Sequence, residues 1–360
     1  MSGRRARALA VCAVLAAGCR GDRQAAEAPA ATKPLAPADS VVLAESDSAF
    51  IGAATHMTAG PNGAFFVSDA VNSTVLHFAR DGKFVRRFGR AGSGPGELGT
   101  PVATAVRGDS LLAVADWEQS RTNLFSQRTG AFIGAARHEG MPFSMHFTPD
   151  ALWMGAVNPN RSTSLARWNL TGEVEYLGPL PAQFGESRQL MLSNPYASTA
   201  LLGDTLLVGF TGHGGLFMTR RDGTVLDTLT VPVLRRRGVP ADIVQRFTRS
   251  LSDAEIAGMA SALVALHRRP DGGIAVVHYD VDIVDRTITA KGYLSLVSSD
   301  RRRVCADVPI PFGTDGRPTV AFAGDTLYAL ETHLRESARA ENVLKAYPLR
   351  DVRCAWSVLR

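Results

Sequence analysis

His146 and His267 each stand four residues ahead of an aspartate in a short turn, Asp150 and Asp271. A third turn of this kind, at Asn62, has Thr58 at the matching place and His56 two residues earlier. Three more, at Asp109, Asp204 and Asp325, have Ala105, Ala200 and Ala321 there. Side chains along a strand alternate with period two, so His56 shares a side with Thr58. Three imidazoles converging from alternate units of a ring could hold a divalent metal such as zinc, with one position open to polarise water or a substrate. The competing reading is three separate channel histidines, hydrated or bonded to backbone. The offset of His56, one layer or about 7 Å along its strand, counts against a shared metal.

A second position recurs seven residues after each marker, occupied by Asp69, Asp116 and His278, with Thr211, Thr332 and Val157 in the other units. As a ring these groups would form a polar rim suited to a sugar, a peptide or a lactone. Trp117, directly after Asp116, is a candidate binding aromatic, whereas Trp153 and Trp168 read as packing residues. His278 and Asp280 are close enough in sequence for an acid–base pair, although such neighbours are common and mostly inert. No nucleophile elbow, His-Glu-x-x-His pair, phosphate loop or Cys-x-x-Cys is present.

The elements that must position these residues follow from the same register. The markers at 62, 109, 150, 204, 271 and 325 each precede an apolar run of strand character, such as AFFVSD, LLAVAD and LWMGAV. Residues 65–78 (FFVSDAVNSTVLHF) lie over 111–125 (LLAVADWEQSRTNLF), with Asp69 on Asp116 and Phe78 on Phe125. A period in the forties or longer with several short strands per unit predicts a β-propeller. Six units fill residues 40–360, giving an all-β six-bladed propeller of four-stranded antiparallel blades. Ring closure has two candidate strands, SVVLAES (40–46) and VRCAWSV (352–358). Between blades four and five, residues 232–259 predict a short helical insertion: Ile243, Val244, Phe247 and Leu251 are at helical spacing, and Ser252 with Glu255 forms a capping box. It would be a lid or a cover over an apolar patch.

Blades one and two resemble NHL repeats, from Asp69 through the loop GRAGSGPGELGTP (89–101) to Asp116 and Arg121. That resemblance implies that Asp69 and Asp116 tie their loops by hydrogen bonding. The three-histidine arrangement is loosely similar to the axial metal site of the NHL-like amidating-lyase propellers. More widely the chain resembles six-bladed propeller lipoproteins of environmental bacteria.

The N-terminus sets the compartment. Arg4, Arg5 and Arg7 followed by the apolar stretch Ala8–Ala17 form a signal peptide over residues 1–18, since a membrane span needs roughly 20 apolar residues. Leu15-Ala16-Ala17-Gly18-Cys19 resembles a bacterial lipobox, which implies cleavage before Cys19 and lipidation of its sulfur. Arg20, in place of aspartate after the lipidated cysteine, resembles proteins sent on to the outer membrane. Residues 19–39, rich in Ala and Pro, predict a disordered tether. Loss of the signal takes three arginines and lowers the net charge from +5 to +2, so nucleic acid is not an expected partner. Cys305 and Cys354 remain, in a compartment that permits a disulfide. The sequence therefore predicts a monomeric, lipid-anchored module of the cell envelope that binds a ligand or an envelope protein, peptide or saccharide partner. The alternative is a metal-assisted lyase or hydrolase at His56, His146 and His267.

Overall fold

The structure, a computed structural model, describes residues 33–46, 49–182, 184, 196–231, 261–284, 287–312, 319–334, 340–353 and 355–359. The expected helical insertion at 232–259 lies outside them, as do Cys19 and Cys354.

After β1 (Asp39–Val42), the chain forms six antiparallel sheets around one axis. Blade one is β2 (Ala54–Ala59), β3 (Phe65–Asp69), β4 (Thr74–Phe78) and β5 (Phe84–Phe88). Blade two is β6 (Pro101–Arg107), β7 (Leu111–Asp116), β8 (Arg121–Ser126) and β9 (Phe132–Arg137). Blade three is β10 (Met141–Phe147), β11 (Leu152–Asn158), β12 (Thr163–Trp168) and β13 (Val174–Pro179). Blade four is β14 (Ala197–Leu202), β15 (Thr205–Phe210), β16 (Gly215–Arg220) and β17 (Val225–Thr230). Blade five is β18 (Ala262–Arg268), β19 (Ile274–Val284), β20 (Thr287–Val297) and β21 (Arg303–Ile310). Blade six is β22 (Thr319–Ala323), β23 (Thr326–Leu334) and β24 (Ala340–Pro348), completed by β1. The inner strands touch in ring order, and β22 meets β2 to close the circle.

Every marker of the sequence repeat lies at the turn between a blade's first and second strands. Gly272 (φ 84°) and Gly324 (φ 57°) show why these turns take glycine, since the left-handed conformation excludes most side chains. The second strands are buried on both faces, which explains their unbroken apolar runs in place of alternation. Outer strands such as β17 are largely exposed. The core is divided among the blade junctions. Phe65 and Val67 pack with Ala321 and Leu330 of blade six, while Phe66 packs with Leu112 and Val114 of blade two. Burying a side chain such as Phe66 contributes about 1.5–3 kcal/mol.

The two closure candidates have different fates. β1 pairs with β24 as the fourth strand of blade six, and Ala44 N–H donates to Gly82 O of blade one at 2.8 Å, lacing the last blade to the first. The C-terminal candidate supplies only β25 (Ser357–Val358), which pairs with β21 as a fifth strand. Blade five therefore departs from the expected four strands, because an unpaired outer edge remained for the C-terminus to cover. The last part of the expected tether is packed. Leu35 is 5% exposed in the core between blades five and six, and its N–H donates to Pro309 O at 2.8 Å. Cys305 is fully buried and disulfide-bonded.

Candidate functional site

The inner strand is the edge of its blade, so half of its backbone carbonyls have no partner within the sheet. They are satisfied from the neighbouring blade, and the axial polar residues provide the protons. Thr55 Oγ1 donates to Pro101 O at 2.7 Å and Thr58 Oγ1 to Thr104 O at 2.8 Å, joining blade one to two. Ser144 Oγ donates to Ala197 O at 3.1 Å and His146 Nε2 to Thr199 O at 2.7 Å, joining three to four. Ser198 Oγ donates to Val264 O at 3.2 Å, joining four to five. His267 Nε2 donates to Gly324 O at 2.8 Å, joining five to six, and Thr319 Oγ1 donates to Ala54 O at 3.4 Å, joining six to one. The junction of blades two and three differs. Ala103 and Ala105 pack against Phe143 and Met145, and the Arg107 guanidinium lies 5.5 Å over the Phe147 ring.

These strands enclose an axial cavity of about 320 Å³, lined from all six blades. His56, His146 and His267 line it, with the hydroxyls of Thr58, Thr104, Ser144 and Thr199 and the rings of Phe143, Phe147 and Phe322. Among the described residues, no Asp, Glu, Lys or Arg lines it. A ring nitrogen that binds a carbonyl must carry a proton, so His146 and His267 hold theirs on Nε2. His56 Nδ1 accepts from the Thr104 amide at 3.3 Å, which puts its proton on Nε2 as well. Burial pushes the His146 and His267 pKa values below the ordinary imidazole value, against the pull of the Thr199 and Gly324 carbonyls. Both are neutral at pH 7. His267 also stacks on Phe322, with centroids 4.5 Å apart and planes within 3°.

The three sequence-predicted histidines therefore share one cavity but reach three different blades. Among the described residues, no group of three or more His, Cys, Asp or Glu side chains could hold a metal ion. The residues present do not fit the expected zinc site, because the polar atoms His56 would offer are directed by Thr104 while the other two rings are set by carbonyls of blades four and six.

The rim residues are spent on the loops. Asp69 is fully buried and accepts from the amides of Gly52 (2.8 Å), Ala53 (3.0 Å), Val71 (3.1 Å) and Asn72 (3.2 Å) and from Asn72 Nδ2 (2.7 Å). Asp116, equally buried, accepts from the amides of Gly99 (2.7 Å), Thr100 (3.1 Å) and Gln119 (3.3 Å). Arg121 holds the 89–101 loop through the carbonyls of Gly94 (2.6 Å) and Glu97 (2.7 Å). His278 is fully buried and stacked on Tyr293, with Nε2 3.3 Å from Asp307 Oδ1. Its sequence neighbour Asp280 accepts instead from Ser261 Oγ. Asp307 has a left-handed backbone (φ 53°) beside the bulge between β20 and β21. Trp117 is 45% exposed, and its ring meets Phe143 edge-on at 6.0 Å; Phe143 in turn meets Tyr196 at 4.2 Å. Trp153 and Trp168 are buried.

Sequence reasoning missed the axial hydroxyls of Thr55, Thr104, Ser144, Ser198, Thr199 and Thr319. Their signal is a partial register in the strand before the marker turn: Ser144, Ser198 and Thr319 stand six residues before their markers, Thr104 and Thr199 five, and Thr55 seven.

These observations define a class: an all-β six-bladed propeller with an uncharged axial cavity. Among solved structures it is similar to a Bacteroides fragilis protein described as exported, at 12% identity and TM-score 0.64, covering 88% of this chain and 98% of that one. It is also similar to a member of the DUF4221 family from Bacteroides vulgatus, at 11% identity and TM-score 0.63, covering 91% and 98%. A third is a catalytically inactive histidine-to-alanine variant of virginiamycin B lyase from Staphylococcus aureus with quinupristin, at 12% identity and TM-score 0.51, covering 89% and 96%. At these identities the likeness is one of fold. No protein-family model and no curated protein matches the sequence.

Proposed function

We propose that this chain is a lipid-anchored module of the cell envelope, sent to the outer membrane by virtue of Arg20 after the lipidated cysteine, that binds a small uncharged polar ligand in its axial cavity. The observation that carries the reading is the cavity wall: about 320 Å³, built by all six blades, with hydroxyls, neutral imidazoles and aromatic rings and, among the described residues, no charged side chain. That volume lies at the lower end of the range for small-molecule sites. A charged ligand would lose its hydration there and meet no counter-charge. Anchoring rests on Cys19 behind Leu15-Ala16-Ala17-Gly18, and an envelope location agrees with the fold neighbour described as exported.

The test is a thermal-shift screen of the full chain in mild detergent against neutral polar, charged and apolar small molecules. Ala105→Phe and Ala321→Phe, which fill the cavity, serve as controls. Neutral polar compounds should raise the melting temperature of the parent and not of the filled variants. Stabilisation confined to charged compounds, or equal in the filled variants, contradicts the reading.

A further inference from the structure

Hydroxyls and imidazoles alternate with apolar side chains around the cavity, and on one side no polar group bridges the two blades. Among the described residues, five of the six blade junctions are joined across the axis by side-chain protons, whereas the junction of blades two and three presents Ala105, Phe143 and Met145 to the cavity. The same side continues outward as an aromatic run. Phe143 lines the cavity, packs on Tyr196, and meets the edge of Trp117, which is half-exposed.

A matching ligand has one apolar face and a rim of neutral hydrogen-bonding groups. A pyranose ring is built this way: its C–H face stacks on aromatic rings and its hydroxyls both donate and accept. The polar part of the lining is equipped for those hydroxyls. Having given their protons to neighbouring carbonyls, Thr58 and Ser144 accept from the hydroxyls of Thr104 and Thr199 and each keep one further oxygen lone pair, and the Ser198 oxygen is an acceptor too. His146 and His267 keep Nδ1 lone pairs for the same reason.

We infer that the axial cavity binds the terminal residue of a neutral saccharide, stacked on the Phe143 side and passing Trp117 at the mouth. This inference rests on the ligand-binding reading above and narrows it to one chemical class.

Isothermal titration of the full chain in mild detergent tests it with N-acetylglucosamine, maltose, cellobiose and chitobiose. Glucosamine, glucuronate and a neutral cyclic dipeptide are the comparators. At least one neutral sugar should bind one-to-one with Kd below about 1 mM. Its charged counterparts should bind about tenfold more weakly, or not at all. Trp117→Ala, at an exposed position, should weaken the sugar about fivefold, in line with a lost aromatic contact. Ala105→Phe should abolish binding. If the cyclic dipeptide binds in an Ala105→Phe-sensitive manner and no sugar does, the ligand-binding reading stands and the saccharide inference is overturned. It is equally overturned if no sugar binds at about 20 mM, or if binding is unchanged in both variants.

Discussion

His146 donates its Nε2 proton to the carbonyl oxygen of Thr199, 2.7 Å away, and so joins blade three to blade four. His267 repeats the arrangement one pair of blades further round, with Gly324 O at 2.8 Å. The histidines that stand out in the sequence as a metal constellation are thus hydrogen-bond donors between blades. The same bonds leave a neutral wall around the axis, so the chemistry of the cavity follows from how the ring is held together.

Removing one such bond should be felt as stability. His146→Ala leaves the Thr199 carbonyl without its donor and should cost about 1–2 kcal/mol, or a few degrees in Tm. His146→Gln keeps an N–H within reach and should recover about half of that. Scanning calorimetry of the three proteins checks the order parent, Gln, Ala. Equal melting of parent and Ala variant would show that the bond contributes nothing.

Stability should fall on mild acidification. Burial, helped by Arg86, brings the His77 pKa down to about 4, and burial also holds His138, His146 and His267 below the ordinary value. The unfolded chain takes up these protons near pH 6.5, which the folded protein resists. The contribution is therefore fully present above about pH 6.5 and is lost as pH falls towards about 4. Urea midpoints measured from pH 7.5 to 4.5 should decline through this window. His77→Phe, which keeps a ring against Phe66 (now 4.4 Å from His77), should flatten the slope.

The carboxylate of Asp116 should matter for folding more than for binding. Asp116→Ala strands three loop amides and should cost about 3 kcal/mol. Asp116→Asn retains one acceptor oxygen and should cost roughly half as much. Denaturant titration gives the two stabilities. Calorimetric binding of any ligand found for the cavity should be unaltered in Asp116→Asn, and a large loss there would return Asp116 to the binding rim.

Closure by the N-terminal strand is testable through Leu35. Leu35→Ala empties a buried site between blades five and six and should cost about 2–3 kcal/mol. Deleting residues 33–42 removes β1 and bares the edge of β24, so the truncated chain should self-associate in size-exclusion chromatography. A truncated protein that stays monomeric and melts like the parent would contradict this closure.

Blade number was legible because a propeller repeats one local pattern, and each of Asn62, Asp109, Asp150, Asp204, Asp271 and Asp325 sits in a turn whose geometry restricts residue type. Counting back from those turns placed His146 and His267 on the axis, since register along a strand survives in sequence. Their partners were not legible, because Thr199 O and Gly324 O are backbone atoms of the next blade and their approach depends on how blades tilt together. Leu35 was hidden in an Ala- and Pro-rich stretch, where a single large apolar residue makes no periodicity. His278 had only Asp280 as a prospective acid, and Asp307, brought in beside the bulge between β20 and β21, is the one it meets.

The neutral axial wall depends most directly on the protonation of its rings. Nitrogen-15 spectra of the full chain labelled at histidine, recorded at pH 7.5 with and without one equivalent of zinc, report the tautomer of each imidazole. His56, His146 and His267 should all be neutral with the proton on Nε2, and zinc should leave their resonances in place. Protons on Nδ1, or a common shift of all three rings on adding zinc, would contradict the account and restore the metal site.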